Sequence, residues 1–343
     1  MTLIMQTKKP SVAVIIAYYN GAKWIERALK SIFEQTYLAN EVIVVNDGST
    51  PEEKDALYTL QKKYTFTILD KENGGQGSAR NFGVTHSQSD YICFLDQDDF
   101  YLPQHIELLY DAIPANDTLF GFVYGDCKEA DENGCIVLGQ MINEHSKHPK
   151  LNIFDFIESD MFILPSASLI CKKAYSSVSG FDEQFMGYED DDLFLRIFRA
   201  GYNHYYIEDA VYVWCIHSNS TSYSIKMSRS RYRYFLKLVN SFQDEPLRGR
   251  FYLKDYLIPR FGKSFIHDII KYSDANSKEK DEILSIFSSY ITLVKNNKFV
   301  PKTYILKLEL VKITFSLFSY SVIKKMAYIL YIPFFRRLFK KLV

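Results

Sequence analysis

The sequence predicts an α/β fold, a mostly parallel sheet flanked by helices, followed by an α-helical C-terminal region. Three observations carry that prediction. Between residues 12 and 96, short β-branched or aromatic runs alternate with segments of helical apolar spacing, the pattern of βαβ units. Asn20, Asp47, Asn73 and Asp96 each stand just past such a run, where parallel sheets gather their ligands. From residue 223 onward the strand-like runs stop and helical spacing continues.

Residues 12–17 (Val-Ala-Val-Ile-Ile-Ala) read as a buried strand, and residues 21–35 as a helix with an apolar stripe of Trp24, Ile25, Leu29, Ile32 and Phe33. A strand at 42–45, a helix at 51–63 and a strand at 66–69 follow. A Gly-rich loop at 74–77 opens the next helix, which leads into the strand 91–95 ending at Asp96. The middle, 120–209, is more mixed. Residues 123–138 read as a hairpin turning at Asp131-Glu132-Asn133-Gly134, and 189–200 as a helix with Leu193, Ile197 and Phe198 inside. The domain boundary is expected near residue 222, giving units at 1–222 and 223–343.

At 343 residues the chain suits one large domain, or one domain with an extension. Its 47% apolar content supports a proper core. Lys+Arg and Asp+Glu both number 41, so net charge gives no argument for nucleic acid, and no nucleic-acid partner is expected. Five scattered cysteines without a C-x-x-C pair form neither a disulfide framework nor a zinc site, which suits a reducing compartment. No secretory h-region and no run of membrane-spanning length stands out, so the expected location is the cytoplasm.

The most informative stretch is Asp96-Gln97-Asp98-Asp99. Three carboxylates where a buried strand surfaces repel one another unless a cation lies among them, and hard divalent cations prefer oxygen ligands. A solvated acidic loop is the plainer alternative. Asn46-Asp47-Gly48-Ser49-Thr50 suits a turn and helix N-cap, and equally a carboxylate accepting hydrogen bonds from a nucleobase or ribose. The loop Asn73-Gly74-Gly75-Gln76-Gly77-Ser78-Ala79-Arg80-Asn81 lets backbone amides approach a phosphate, with Arg80 adding charge. It is not a dinucleotide fingerprint, because Arg80 stands where the last glycine of G-x-G-x-x-G belongs. A second acidic cluster, Glu189-Asp190-Asp191-Asp192, opens a helix. Acidic first turns complement the macrodipole, but four in succession exceed that need, and crowded carboxylates raise each other's pKa as a general base requires. His217 follows a strand-like run and suits either a structural role or an Asp/His metal shell.

Together these segments resemble the family 2 glycosyltransferases with a GT-A fold. The resemblance covers residues 11–222. It rests on Val14-Ile15-Ile16-Ala17-Tyr18-Tyr19-Asn20, Val44-Val45-Asn46-Asp47-Gly48-Ser49-Thr50, Asn73-Gly74-Gly75 with Ser78-Ala79-Arg80-Asn81, Phe94-Leu95-Asp96-Gln97-Asp98-Asp99, Gly180-Phe181-Asp182 and Glu189-Asp190, in that order. Ala17 replaces the usual proline of the opening motif, and Asp191 and Asp192 stand where many relatives have an aromatic residue.

The resemblance implies a nucleotide-sugar-binding half at 11–115 and an acceptor-side half at 116–222. It implies donor binding by Ala17, Tyr19, Asn20, Asp47, Asn73, Gly74, Gly75, Arg80, Asp96 and Gln97, with Asp47 on the base and Asp96 on the ribose side. Asp98, with Asp96 and His217, would hold Mn²⁺ or Mg²⁺ at the diphosphate. Asp190 would be the catalytic base, with Glu189 and Asp191 as neighbouring candidates. The implied reaction is an inverting transfer of a hexosyl or N-acetylhexosaminyl group from a nucleotide-diphosphate donor, UDP first among them. The acceptor would be a hydroxyl of a glycan or lipid-linked saccharide in bacterial surface polysaccharide or lipopolysaccharide synthesis. A sugar-phosphate nucleotidyltransferase shares the fold type, but it normally carries a Gly-rich, Arg-containing loop where this chain has Ala17-Tyr18-Tyr19-Asn20-Gly21. A non-catalytic nucleotide-sugar-binding protein is the other alternative.

After Glu309 the chain has no acidic residue, while Lys312, Lys324, Lys325, Arg336, Arg337, Lys340 and Lys341 interleave with apolar side chains. A basic, amphipathic segment at 315–343 predicts peripheral attachment to the inner face of the cytoplasmic membrane. Internal packing or an oligomer contact is the alternative.

Overall fold

The computed structural model describes residues 10–217, 224–275 and 277–323. The predicted basic segment beyond residue 323 therefore lies outside the described residues. The chain divides into two compact units, 1–151 with 161–220, and 152–160 with 221–343.

The first unit is built on one sheet. Its strands are β1 (Val12–Tyr18), β2 (Glu41–Asp47), β3 (Thr67–Lys71), β4 (Tyr91–Asp96), β5 (Phe100–Tyr101), β6 (Phe120–Ala130), β7 (Ile136–Leu138), β8 (Ser168–Cys171) and β9 (Asn203–Cys215). They lie in the order β3-β2-β1-β4-β8-β6-β9-β5, with β7 on β6. The first four are mutually parallel; β8 then runs antiparallel to both β4 and β6, and β6 and β9 pair parallel. The sheet is thus parallel in the half that was legible as βαβ units and mixed beyond it.

Parallel strands covered on both faces should be apolar throughout. Val12, Ala13, Val14, Ile15 and Ile16 in β1, and Ile92, Cys93, Phe94 and Leu95 in β4, are completely buried. Each valine, isoleucine, leucine and phenylalanine among them contributes about 1.5–3 kcal/mol when fully buried. The crossover helices are Ile25–Phe33, Pro51–Leu60 and Gln76–His86. The first is shorter than its apolar stripe suggests, because Ala22, Lys23 and Trp24 form a turn. Gly83 lets the third lie close on the sheet: a Cβ there would stand 2.5 Å from Cγ2 of Ile15. The hairpin at 123–138 appears as β6 and β7. The helix Glu189–Arg199 buries Leu193, Phe194, Leu195 and Ile197, while Phe198 is only half-buried, a correction to the expected stripe.

The second unit is helical, with Ile225–Ser241, Ile258–Lys271, Ser277–Asn296 and Lys302–Leu317 as its main elements. Phe235 sits at its centre, its ring 5.4–5.7 Å from those of Phe261, Phe265 and Tyr290. Ion pairs of Arg229 with Glu282 and Arg231 with Asp268 tie the first helix to the next two. Among the described residues no helix is long and apolar enough to cross a membrane.

Candidate active site

β1 lies between β2 and β4, so the chain reverses its direction of travel across the sheet between β1 and β4, and a crevice opens at the carboxyl ends of those strands. Gln97 spans it. Its Oε1 accepts from the Tyr19 N–H at 2.9 Å and its Nε2 donates to the Tyr19 carbonyl at 3.1 Å, as an adjoining strand would. Gly21 leaves room for that amide, since a Cβ would stand 2.2 Å from Gln97 Oε1. Ala17 lies in register with Val45 on one side and Asp96 on the other. Asn20, at φ +47°, accepts from the Thr50 N–H at 3.0 Å and donates its own N–H to Ser49 Oγ at 3.0 Å.

Asp47 is not a helix cap. Its buried Oδ1 accepts from Lys71 Nζ at 2.7 Å and the Gly74 N–H at 2.9 Å, and its Oδ2 from the Gly75 N–H at 2.8 Å. Asn73 Nδ2 donates to the Asp47 carbonyl at 2.8 Å. The Gly-rich loop is therefore folded onto the end of β2, and Oδ2 keeps acceptor capacity for one further donor. Gly48 (φ +76°) and Gly75 (φ +87°) supply the left-handed backbone that this close approach needs.

Arg80 joins the two acidic clusters. The guanidinium is buried, with Nη2 donating to Asp96 Oδ1 at 2.6 Å and Nη1 3.5 Å from Glu189 Oε1. It lies 5.1 Å from the centre of the Phe181 ring and 5.7 Å from that of Phe94. A buried cation demands paired anions, so Arg80 fixes the end of β4 against the start of the acidic helix. Gln76 Nε2 also donates to Asp96 Oδ1, at 2.6 Å. Asn81, one residue on, accepts from the Tyr175 hydroxyl and the Phe181 N–H, and donates to the Phe181 carbonyl and Glu183. That explains Asn81 and Gly180-Phe181-Asp182 as two halves of one contact.

Asp98 Oδ2 lies 2.6 Å from Nε2 of His217, whose ring stacks on Trp24 at 4.7 Å between centroids. Burial, then the charge of Asp96, raises the Asp98 pKa. Asp99 turns inward to accept from the Cys215 N–H at 2.8 Å; burial, then the charges of Asp98 and Asp96, holds its pKa well above the ordinary range. Arg27 Nη2 donates to the Asp98 carbonyl at 2.5 Å. Among the described residues no three His, Cys, Asp or Glu side chains surround one point. Asp98 and His217 form a two-ligand set instead, which fits a hard cation that draws its other oxygens from a phosphate and water. His217 Nδ1 is buried and has no hydrogen-bond partner among the described residues.

In the second cluster Glu189 Oε2 accepts from the Gly187 N–H at 2.7 Å, and Tyr188 precedes the helix at φ +67°. Asp192 pairs with Arg196 at 2.7 Å, a structural contact within the helix. Asp190 accepts from the Asp191 N–H at 2.8 Å. Burial, then the charges of Asp191 and Glu189, pushes its pKa well above the ordinary carboxylate range. A carboxyl so perturbed, beside the buried Arg80 cation, suits proton abstraction.

Residues 13–175 match the model of glycosyl transferase family 2. That stretch, a little under half of the chain, is where the likeness to the family lies. An uncharacterized glycosyltransferase of Rickettsia bellii is 33% identical over 196 residues, 57% of this chain and 28% of that protein. This chain thus spans well under half the length of that relative. S. aureus TarS 1–349 in complex with UDP-GlcNAc aligns with a TM-score of 0.62 at 18% identity, covering 88% of this chain and 87% of that one. The mannosyltransferase PcManGT from Pyrobaculum calidifontis, in complex with GDP-Man and Mn²⁺, aligns at 0.53 and 18% identity, covering 93% and 84%. These likenesses establish a GT-A fold. The family match ends before Glu189 and His217, which enter the site through Arg80 and Asp98. Sequence reasoning missed Lys71, Gln76, Trp24 and Arg27 as site residues. Lys71 had a signal, its position at the end of a strand; the other three act through contacts with residues 20 to 193 positions away.

Proposed function

We propose that this chain is an inverting glycosyltransferase, moving a hexosyl or N-acetylhexosaminyl group from a UDP-sugar to a hydroxyl of a glycan or lipid-linked acceptor in bacterial surface polysaccharide or lipopolysaccharide synthesis. The observation that carries the reading is Arg80, which holds the carboxylate at the end of β4 and the start of the acidic helix in one site. Asp47, Asn73, Gly74 and Gly75 would receive the nucleoside, Asp96 the ribose side, and Ala17, Tyr19, Asn20 and Gln97 would shape the mouth at β1. Asp190 would take the proton of the acceptor hydroxyl as its oxygen bonds to the anomeric carbon and the bond to the diphosphate breaks; one displacement inverts the centre. Asp98 and His217 would hold Mn²⁺ or Mg²⁺, which neutralises charge on a leaving diphosphate. TarS, bound to UDP-GlcNAc, supports the donor class, and PcManGT, bound with Mn²⁺, supports the metal. No arginine-bearing Gly-rich loop follows β1, so the nucleotidyltransferase reading has no support. The cytoplasmic face of the membrane, reached through the C-terminal helices, is the proposed location.

A panel of nucleotide sugars with and without Mn²⁺ tests this reading by thermal shift. A donor at one hundred times its Kd stabilises by about 2.7 kcal/mol, which moves Tm by several degrees. No shift with any UDP- or GDP-sugar would overturn the donor class.

A further inference from the structure

The helix Lys302–Leu317 carries two apolar faces. One, through Leu308, Val311 and Phe315, is buried in the helical unit. The other, Leu306, Leu310, Ile313 and Leu317, stands 61%, 57%, 53% and 69% exposed. Their spacing of four, three and four residues places them on one stripe. Phe318 and Val322 continue the exposed apolar surface beyond the helix. Isolated exposed leucines need no explanation, but a contiguous stripe does.

The charges around it select the occupant. At 100° per residue, Lys307 flanks the stripe on one side and Lys302 on the other, while Lys312 lies about 130° from its centre. Glu309, the one acidic residue of the helix, lies 3.9 Å from Lys295. Lys307 and Lys263 also line a cleft of about 210 Å³ with apolar walls of Ile258, Pro259 and Ile266. A second copy of the helix fits less well. The stripe spans only two heptads, and a parallel pair would oppose Lys302 to Lys307 at the positions where coiled coils place complementary charges.

We propose that this stripe docks the protein on an anionic lipid bilayer, with Leu306, Leu310, Ile313 and Leu317 entering the headgroup boundary and the lysines meeting lipid phosphates. The inference rests on the proposed membrane location and assigns it to a surface upstream of the basic residues 324–343. Apolar side chains between snorkelling lysines match an interfacial helix, each lysine adding about 1 kcal/mol near an anionic surface.

The test is co-sedimentation of the full chain with vesicles of phosphatidylcholine alone, or of equal parts phosphatidylcholine and phosphatidylglycerol. The triple variant Leu306→Gln, Leu310→Gln, Leu317→Gln keeps good helix formers at exposed positions. Circular dichroism and donor hydrolysis should match wild type. Wild type is expected to favour the anionic vesicles at least tenfold, and the triple variant to lose at least tenfold of that binding. Lys302→Glu with Lys307→Glu should abolish the preference for anionic lipid. Three results would overturn the proposal. If wild type binds neither vesicle, the membrane location itself fails, while intact donor hydrolysis leaves the transferase reading standing. If the triple variant binds like wild type, the location stands and the stripe is not the surface. If the triple variant only converts a dimer to a monomer, the occupant is a second copy.

Discussion

Asp190 and Asp99 are both carboxyls displaced upward, with opposite consequences. As the proposed base, Asp190 would act only when ionised, so its raised pKa should set the acid limb of kcat/KM above the ordinary carboxylate range. Removing a neighbouring charge with Asp191→Asn should move that limb to lower pH, read from kcat/KM against pH; an unmoved limb would detach it from this cluster. Asp99 is buried, and its carboxylate accepts from the Cys215 backbone N–H. Its folded pKa lies above the unfolded value near 4, so the stability of its neutral form is lost as pH rises through the folded pKa. Asp99→Asn keeps the acceptor for Cys215 and removes the charge. It should stabilise the metal-free protein by on the order of 1 kcal/mol above the folded pKa and leave it unchanged near pH 4. Denaturant melts at the two pH values decide this, and equal destabilisation at both would refute it.

At the scale of elements, the site depends on loops being tied to strand ends. Asn81 makes four hydrogen bonds between the helix Gln76–His86 and the loop around Phe181. Asn81→Ala should cost about 2–4 kcal/mol, from several partners left unpaired, and lower turnover with it; a melt within 0.5 °C of wild type would show the loop to be held by other contacts. The elements legible in the sequence were those whose burial is uniform. β1, β2 and β4 are continuous apolar runs, so their ends, and with them Asn20, Asp47 and Asp96, could be read directly. β5 has two residues and β8 four, too short for any period. β9 begins with Asn203 and His204 and includes Glu208 and Asp209, because much of its first part is only half-buried. The acidic motifs were legible as chemistry, but their assembly was not: Arg80 reaches Glu189 across 109 positions, and His217 reaches Asp98 across 119. Such pairings follow from topology, which residue spacing alone does not encode.

For the whole molecule, zero net charge conceals a division of labour. One unit gathers carboxylates at the carboxyl edge of its sheet, and the other carries an exposed apolar stripe flanked by lysines. The proposed catalysis in the first would use two separated acidic clusters, one for a cation and one for a proton, and that separation is the central claim. It is tested most directly by comparing wild type with Asp190→Asn for metal-dependent UDP-sugar turnover at matched donor occupancy. The account predicts unchanged donor affinity and a turnover lower by about 10²–10⁴-fold, the usual range for losing a general base. Turnover equal to wild type, with donor affinity also unchanged, would contradict it.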